Sequence, residues 1–173
     1  VLSADAHKWM LGPEGAGIFY CARKIMRHLK VANLGWASVI NPGDYLDYDT
    51  TPLPNAQRFE SGTLNTVGIY GLKASLDLIA KLNINNIEAR ILMLTDQLAA
   101  GLKEKGYRLI SSRKPREKSG IVTFQHSDLS VDDIFQRLEN HKIIASVRGE
   151  GVRLSPHVYN TEDEIDRVLN VLP

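Results

Sequence analysis

The sequence predicts two pieces of different architecture: the closing part of a larger α/β domain over residues 1–82, then a small α+β domain over residues 83–173. From residue 87 onward the apolar periodicities run helix, strand, strand, helix, strand, strand, helix. That order describes helices laid on a small, mostly antiparallel sheet. Residues 1–82 offer two strand patterns, a long aperiodic loop and a helix, too few strands for a sheet core of their own. The length of 173 residues and the apolar share of 43% suffice for one domain or one and a half.

Taken in order, Val1 to Asp5 reads as a short buried strand. Gly12-Pro13-Glu14-Gly15 is a turn signal, and Ala16 to Cys21 reads as a second strand. A short basic helix is expected over Ala22 to Leu29, and residues 41–57, rich in Pro, Asp and Thr, form an extended loop. Val67, Ile69, Leu72, Leu76 and Ile79 mark a helix over Thr66 to Leu82. Ile87, Ile91, Leu94, Leu98 and Leu102 step by three and four along one helical face, and Gly106 stands where a helix ends. Tyr107–Ser111 and Gly120–Gln125 read as strands around a basic loop, Ser112–Ser119. Ser130 with Asp133 and Thr161 with Glu164 resemble capping boxes, each opening a helix. Between those helices, Ile143–Val147 and Gly151–Leu154 form a hairpin around Arg148-Gly149-Glu150.

Composition excludes several function classes. Lys and Arg total 21 against 20 for Asp and Glu, a net charge of +1, which gives no support for nucleic-acid or membrane-surface binding. One cysteine, Cys21, excludes an internal disulfide and fits a reducing, cytoplasmic compartment. No apolar run reaches the length of a membrane span, and no metal-ligand spacing stands out. The opening Val1-Leu2-Ser3-Ala4 reads as the inside of a strand, so further chain is expected upstream; N-terminal processing is the alternative.

Three constellations could carry chemistry. In Ala6-His7-Lys8-Trp9-Met10-Leu11-Gly12-Pro13 a lysine follows a strand and precedes a Gly-Pro turn. A nucleophilic lysine must be held rigidly and partly desolvated, because only the neutral amine attacks. The same pattern also describes a lysine escaping to solvent, which is what most lysines do. Arg58-Phe59-Glu60-Ser61-Gly62-Thr63-Leu64-Asn65-Thr66 is a glycine-containing loop ahead of a helix. It suits an anion, or equally simple capping by Asn65 or Thr66. In Val152-Arg153-Leu154-Ser155-Pro156-His157-Val158-Tyr159-Asn160-Thr161, Arg153 lies in an apolar strand and needs an anion. That anion is either a core carboxylate or a ligand.

Together these segments resemble the class V aminotransferase and cysteine desulfurase superfamily of fold type I pyridoxal-phosphate enzymes, nearest its isopenicillin-N-epimerase-like group. The likeness covers the whole chain. It implies pyridoxal 5′-phosphate as cofactor, an amino acid as substrate, and a homodimer with shared active sites. By the match, Lys8 forms the Schiff base with the cofactor and shuttles the substrate α-proton. His7 lies near the cofactor phosphate, Gly62 and Thr63 reach the phosphate of the neighbouring subunit, and Arg153 forks the substrate α-carboxylate. Arg58 and Glu60 are expected to pair structurally, and the Tyr159-Asn160-Thr161 run to open the last helix. Residues 1–82 then read as a remnant of the large cofactor-binding domain.

The pattern departs from relatives in places. Desulfurases carry a serine three residues before the lysine, where Asp5 stands here. A carboxylate would repel a phosphate, so Asp5 is expected to point elsewhere or make a structural hydrogen bond. Desulfurases also carry a catalytic cysteine on a loop before the substrate arginine, whereas Asn140–Gly149 contains no cysteine and almost no loop. Desulfurase chemistry by the usual mechanism is therefore rejected. The family's pyridine-pairing aspartate, its cofactor-stacking ring and its phosphate-binding helix precede the lysine. This chain alone is thus expected to be inactive and to self-associate. The rival reading is a non-catalytic α+β dimerisation or binding module with a relic lysine segment. Arg148 near Arg153 could meet a second carboxylate or simply be an exposed turn residue. Arg113–Lys118 reads as a solvated charge run, and Cys21 as a buried small residue.

Overall fold

A computed structural model describes residues Val1–Pro173, which divide into two compact units, Val1–Lys81 and Leu82–Pro173. No helix is long and apolar enough to cross a membrane. The first unit opens with β1 (Leu2–Asp5) paired antiparallel to β2 (Gly17–Tyr20), Leu2 facing Tyr20 and Asp5 facing Gly17. These strands form a sheet by themselves and remain exposed, Leu2 at 54% and Tyr20 at 61%. The burial expected for Val1–Asp5 is thus absent, because strand composition records preference while burial needs a covering layer. Cys21, just past β2, is buried as expected, at 7% exposure.

The basic helix shrinks to a single turn, α1 (Arg23–Met26), and residues 41–55 are irregular apart from a bridge between Val39 and Pro52. A 3₁₀ turn, Ala56–Phe59, then leads towards α2 (Thr66–Leu82), the span the apolar spacing predicts. Asn65 caps α2: its side-chain oxygen accepts from the Gly68 N–H at 3.0 Å.

The second unit runs α3 (Ile84–Glu104), β3 (Arg108–Leu109), β4 (Val122–Gln125), α4 (Val131–Asn140), β5 (Ser146–Arg148), β6 (Gly151–Leu154) and α5 (Glu162–Val171). The sheet is four-stranded and wholly antiparallel, in the order β3-β4-β6-β5. Leu94, Leu98 and Leu102 of α3 pack with Ile134, Leu138, Ile165 and Val168 onto Phe124, Val152 and Leu154. Tyr107 meets Phe124 edge-on, with centroids 5.4 Å apart. Alternation along β6 therefore sends Val152 and Leu154 into the core and Arg153 to the opposite face.

Gly106 ends α3 at φ +82°, the left-handed geometry a helix-terminal glycine supplies, and the Tyr107 N–H reaches back to the Leu102 carbonyl at 2.9 Å. The Thr161–Glu164 capping box forms in full. At α4 only half of one forms. Ser130 Oγ accepts from the Asp133 N–H at 3.0 Å, but the Asp133 carboxylate takes the Ser130 hydroxyl at 2.7 Å instead of reaching back to the backbone. Aspartate is one methylene shorter than the glutamate that closes the other box.

Candidate functional site

Lys8 stands on the connection between β1 and β2. That connection is ordered from its base. Ala6 is fully buried, its N–H donates to the Ala16 carbonyl at 3.0 Å, and its own carbonyl accepts from Gly12 at 2.8 Å. The Leu11 N–H closes on the Lys8 carbonyl at 3.1 Å, with Leu11 at φ +56°. A side chain at Gly12 would strike Ala6 Cβ at 2.9 Å, so the turn needs glycine there. The backbone beneath Lys8 is therefore fixed, while its side chain is 69% exposed within this chain. Its ammonium group bonds the Asp5 carboxylate. Asp5 thus makes the local bond expected of it, and the Lys8 contact holds its carboxyl below the usual value. His7 is exposed beside it.

The Gly62-Thr63 loop lies in the same unit and is tied to the Lys8 connection through Asn65. The amide that caps α2 also donates to the Gly15 carbonyl at 3.0 Å. The loop rests on the turn at residues 35–38, where buried Ser38 bonds both ends of Gly35, donating at 2.8 Å and accepting at 2.9 Å. Gly35 approaches the Ser61 backbone so closely that no side chain fits there, and a Cβ on Gly62 would come within 3.2 Å of Trp36 Nε1. Gly35, Ser38 and Asn65 are supports the motif alone does not reveal. The Arg58–Glu60 pair does not form. Arg58 Nε is buried without a partner, and neither residue enters an ion pair. A primary amine on a fixed turn, a neighbouring imidazole and a backbone-supported Gly-Thr loop are donors of the kind a phosphorylated aldehyde cofactor requires.

Arg153 belongs to the second unit. It pairs in register with Ser146 on β5 and with Thr123 on β4, so the three side chains share a face. Arg153 Nε and Ser146 Oγ are both buried with no hydrogen-bond partner. Both line a cavity of about 500 Å³, with Ser155, Tyr159 and Lys142 on its wall. No protein carboxylate supplies the anion that a buried guanidinium needs. His157 is buried at 7% exposure and stacks on Tyr159 at 5.4 Å between centroids.

The segment after Arg153 is held by a polar lattice. The His157 N–H donates to Asn160 Oδ1 at 2.8 Å, and Asn160 Nδ2 donates to Glu164 at 3.0 Å. Arg90 of α3 grips Glu162 at 2.5 and 2.8 Å and the Asn160 carbonyl at 2.9 Å. The Tyr159-Asn160-Thr161 run is structural, as expected. Arg90 escapes sequence reading because its partner is 72 residues away.

Lys114–Glu117 are exposed, as expected of a solvated charge run, but the two ends of the run, Arg113 and Lys118, are anchored. The Arg113 side chain is only 10% exposed and donates to Thr95 Oγ1 at 3.0 Å and Asp96 at 2.7 Å, while Lys118 takes the other Asp96 oxygen at 2.7 Å. The turn between β5 and β6 consists of Gly149 and Glu150 alone, and Cys21 belongs to the other unit. The second unit contains no cysteine.

Residues 1–168 match the aminotransferase class-V family, and the chain belongs to that family. It is 29% identical to a probable cysteine desulfurase of Pyrococcus abyssi, over 99% of this chain and 45% of the relative. The apo cysteine desulfurase of Thermococcus onnurineus superposes with a TM-score of 0.86 at 25% identity, covering 98% of this chain and 45% of that one. The cystine C–S lyase C-DES, solved with its product cysteine persulfide, gives 0.80 at 25% identity, over 96% and 44%. The chain thus spans less than half the length of these relatives.

Proposed function

We propose that the protein is a pyridoxal-phosphate enzyme acting on an amino acid, with Lys8 as the cofactor lysine and Arg153 as the grip on the substrate α-carboxylate. The carrying observation is the uncompensated Arg153: a buried guanidinium Nε beside the buried Ser146 hydroxyl, both unpartnered and open to one cavity. Such a group is costly unless a ligand supplies the anion, and a carboxylate fits its planar fork. His7, Gly62 and Thr63 are assigned to the cofactor phosphate. The exposed position of the Gly62-Thr63 loop favours a phosphate held across a homodimer, with two shared sites.

When bound, pyridoxal phosphate supplies the electron sink that makes loss of the α-proton feasible. The protein's part is placement and proton transfer. Arg153 fixes the carboxylate and so orients the α-carbon. Lys8 must give up its proton and its bond to Asp5 before its amine can act, and that neutral amine would take the α-proton and return it. The reaction is one that needs no enzyme thiol: transamination, epimerisation or elimination. Elimination draws support from the likeness to a C–S lyase, since persulfide transfer to an enzyme cysteine lacks its nucleophile here. The reducing cytoplasm suits the free, buried Cys21.

The test is exchange of the α-proton of amino acids in heavy water by the protein at its natural length. Lys8→Ala is expected to lower that exchange by about 10³-fold or more while leaving the fold intact, since the loss of an essential acid–base or nucleophilic group costs on that order. Exchange that survives the substitution would favour the rival reading, a non-catalytic module with a relic lysine.

A further inference from the structure

The ammonium group of Lys8 has a partner three positions back in its own chain. Asp5 closes β1, and its carboxylate bonds Lys8 Nζ. The backbone at both ends of this contact is fixed. Asp5 pairs with Gly17 across the β1–β2 ladder. Fully buried Ala6 follows, bonded to Ala16 at 3.0 Å and to Gly12 at 2.8 Å. The Lys8 carbonyl then accepts from the Leu11 N–H at 3.1 Å. The pair therefore makes and breaks by rotation of two side chains, with the backbone still.

The second strand offers Asp5 no rival partner. Gly17 has no side chain, and a Cβ there would come within 2.9 Å of the Ala4 carbonyl. Lys8 is the main influence that lowers the Asp5 carboxyl, and His7 adds a smaller one. Glu14, the other carboxylate of the connection, enters no ion pair. A carboxylate in contact with an amine favours the charged amine over the neutral one. A neutral amine is the form that attacks a carbonyl. The contact thus opposes the chemistry assigned to Lys8.

We propose that Asp5 is a positioning residue for Lys8: it parks the amine as an ammonium ion at the end of β1, so that Lys8 condenses with an aldehyde when that pair opens. This rests on the reading of Lys8 as the cofactor lysine. On opening, Lys8 Nζ releases one proton to solvent. The neutral amine forms a C–N bond with the aldehyde carbon, and the aldehyde oxygen leaves as water with the two remaining amine hydrogens. Both side chains are exposed, at 69% and 52%, so solvent screens the pair and its hold is a matter of a few-fold. That suffices to slow stray modification of an empty site without closing it to the cofactor.

The experiment measures the reactivity of Lys8 in the protein at its natural length, free of cofactor, by trace acetylation with acetic anhydride and peptide mapping. Parent, Asp5→Asn and Asp5→Glu are compared; the first substitution removes the charge at nearly constant shape and the second restores it. Lys73, paired with Asp77 at 2.6 Å and exposed to a similar degree, is the internal standard. Acetylation of Lys8 relative to Lys73 should rise about two- to fivefold in Asp5→Asn and stay near the parent value in Asp5→Glu. Covalent uptake of pyridoxal phosphate at Lys8, fixed with borohydride, should quicken in Asp5→Asn as well. A fall in both variants alike would mark a structural role instead. Either rate unchanged or lowered in Asp5→Asn, with cofactor still attaching at Lys8, would overturn the role of Asp5 and leave the Lys8 assignment standing. No uptake at Lys8 in any of the three proteins would overturn both.

Discussion

Asp5 and Asp96 are the carboxylates whose placement says most about single residues. Asp5 occupies the position where desulfurases place a phosphate-binding serine, and it holds the Lys8 ammonium instead. Asp96 bridges Arg113 and Lys118, and these bonds depress its carboxyl below the ordinary 3.8. A carboxyl with a lowered folded value stabilises the fold above its unfolded value, and that stability is lost as pH falls through the folded value. The loop at residues 112–119 should therefore loosen only below about pH 4. Arg113→Ala should destabilise the chain by about 1–3 kcal/mol in urea denaturation and flatten that acid dependence, since Arg113 also bonds buried Thr95. An Arg113→Ala protein as stable as the parent would show the cluster to be incidental. None of this was legible beforehand. Run-length marks residues 113–118 as charged, but Asp96 lies 17 positions from Arg113 and on another element.

At the scale of elements, legibility follows locality. The starts of α2 and α5 rest on bonds spanning three residues, Asn65 to Gly68 and Thr161 to Glu164, and both are readable in the sequence. The apolar spacing gives α2 and α3 nearly to the residue because a helix repeats its own neighbours. Strand order and burial depend on partners elsewhere in the chain. The sequence pattern thus recovers the β5–β6 hairpin, whereas β1, expected as a buried strand of a larger sheet, has only β2 beside it within this chain. Thr161→Ala should cost about 0.5–2 kcal/mol in thermal or urea unfolding through loss of one side of the α5 box. An unchanged midpoint would mean that the Arg90 clamp alone fixes that helix start. On the proposed reading the two-residue turn at Gly149-Glu150 matters most, because it leaves no loop there to carry a thiol.

For the molecule as a whole, the two units differ in how completely they bury their apolar residues. The second has a closed core around Phe124 and Leu98. The first leaves Tyr45, Leu46, Tyr48, Val67 and Tyr70 each at least 72% exposed. Apolar surface on that scale marks an interface. The 173-residue chain is expected to elute from a sizing column as a dimer or larger species, and a monodisperse monomer would count against that. The family was legible in short motifs whose chemistry is local. The supports of the site, Gly35, Ser38 and Arg90, were not, because each acts on a segment distant in sequence.

The most direct test of the central assignment is to add pyridoxal phosphate to the protein at its natural length, reduce with borohydride, and map the added mass by peptide sequencing. The account predicts one modified lysine per chain, at Lys8, and loss of the label in Lys8→Ala. Label on another lysine with Lys8 unmodified, or label unaffected by Lys8→Ala, would contradict it.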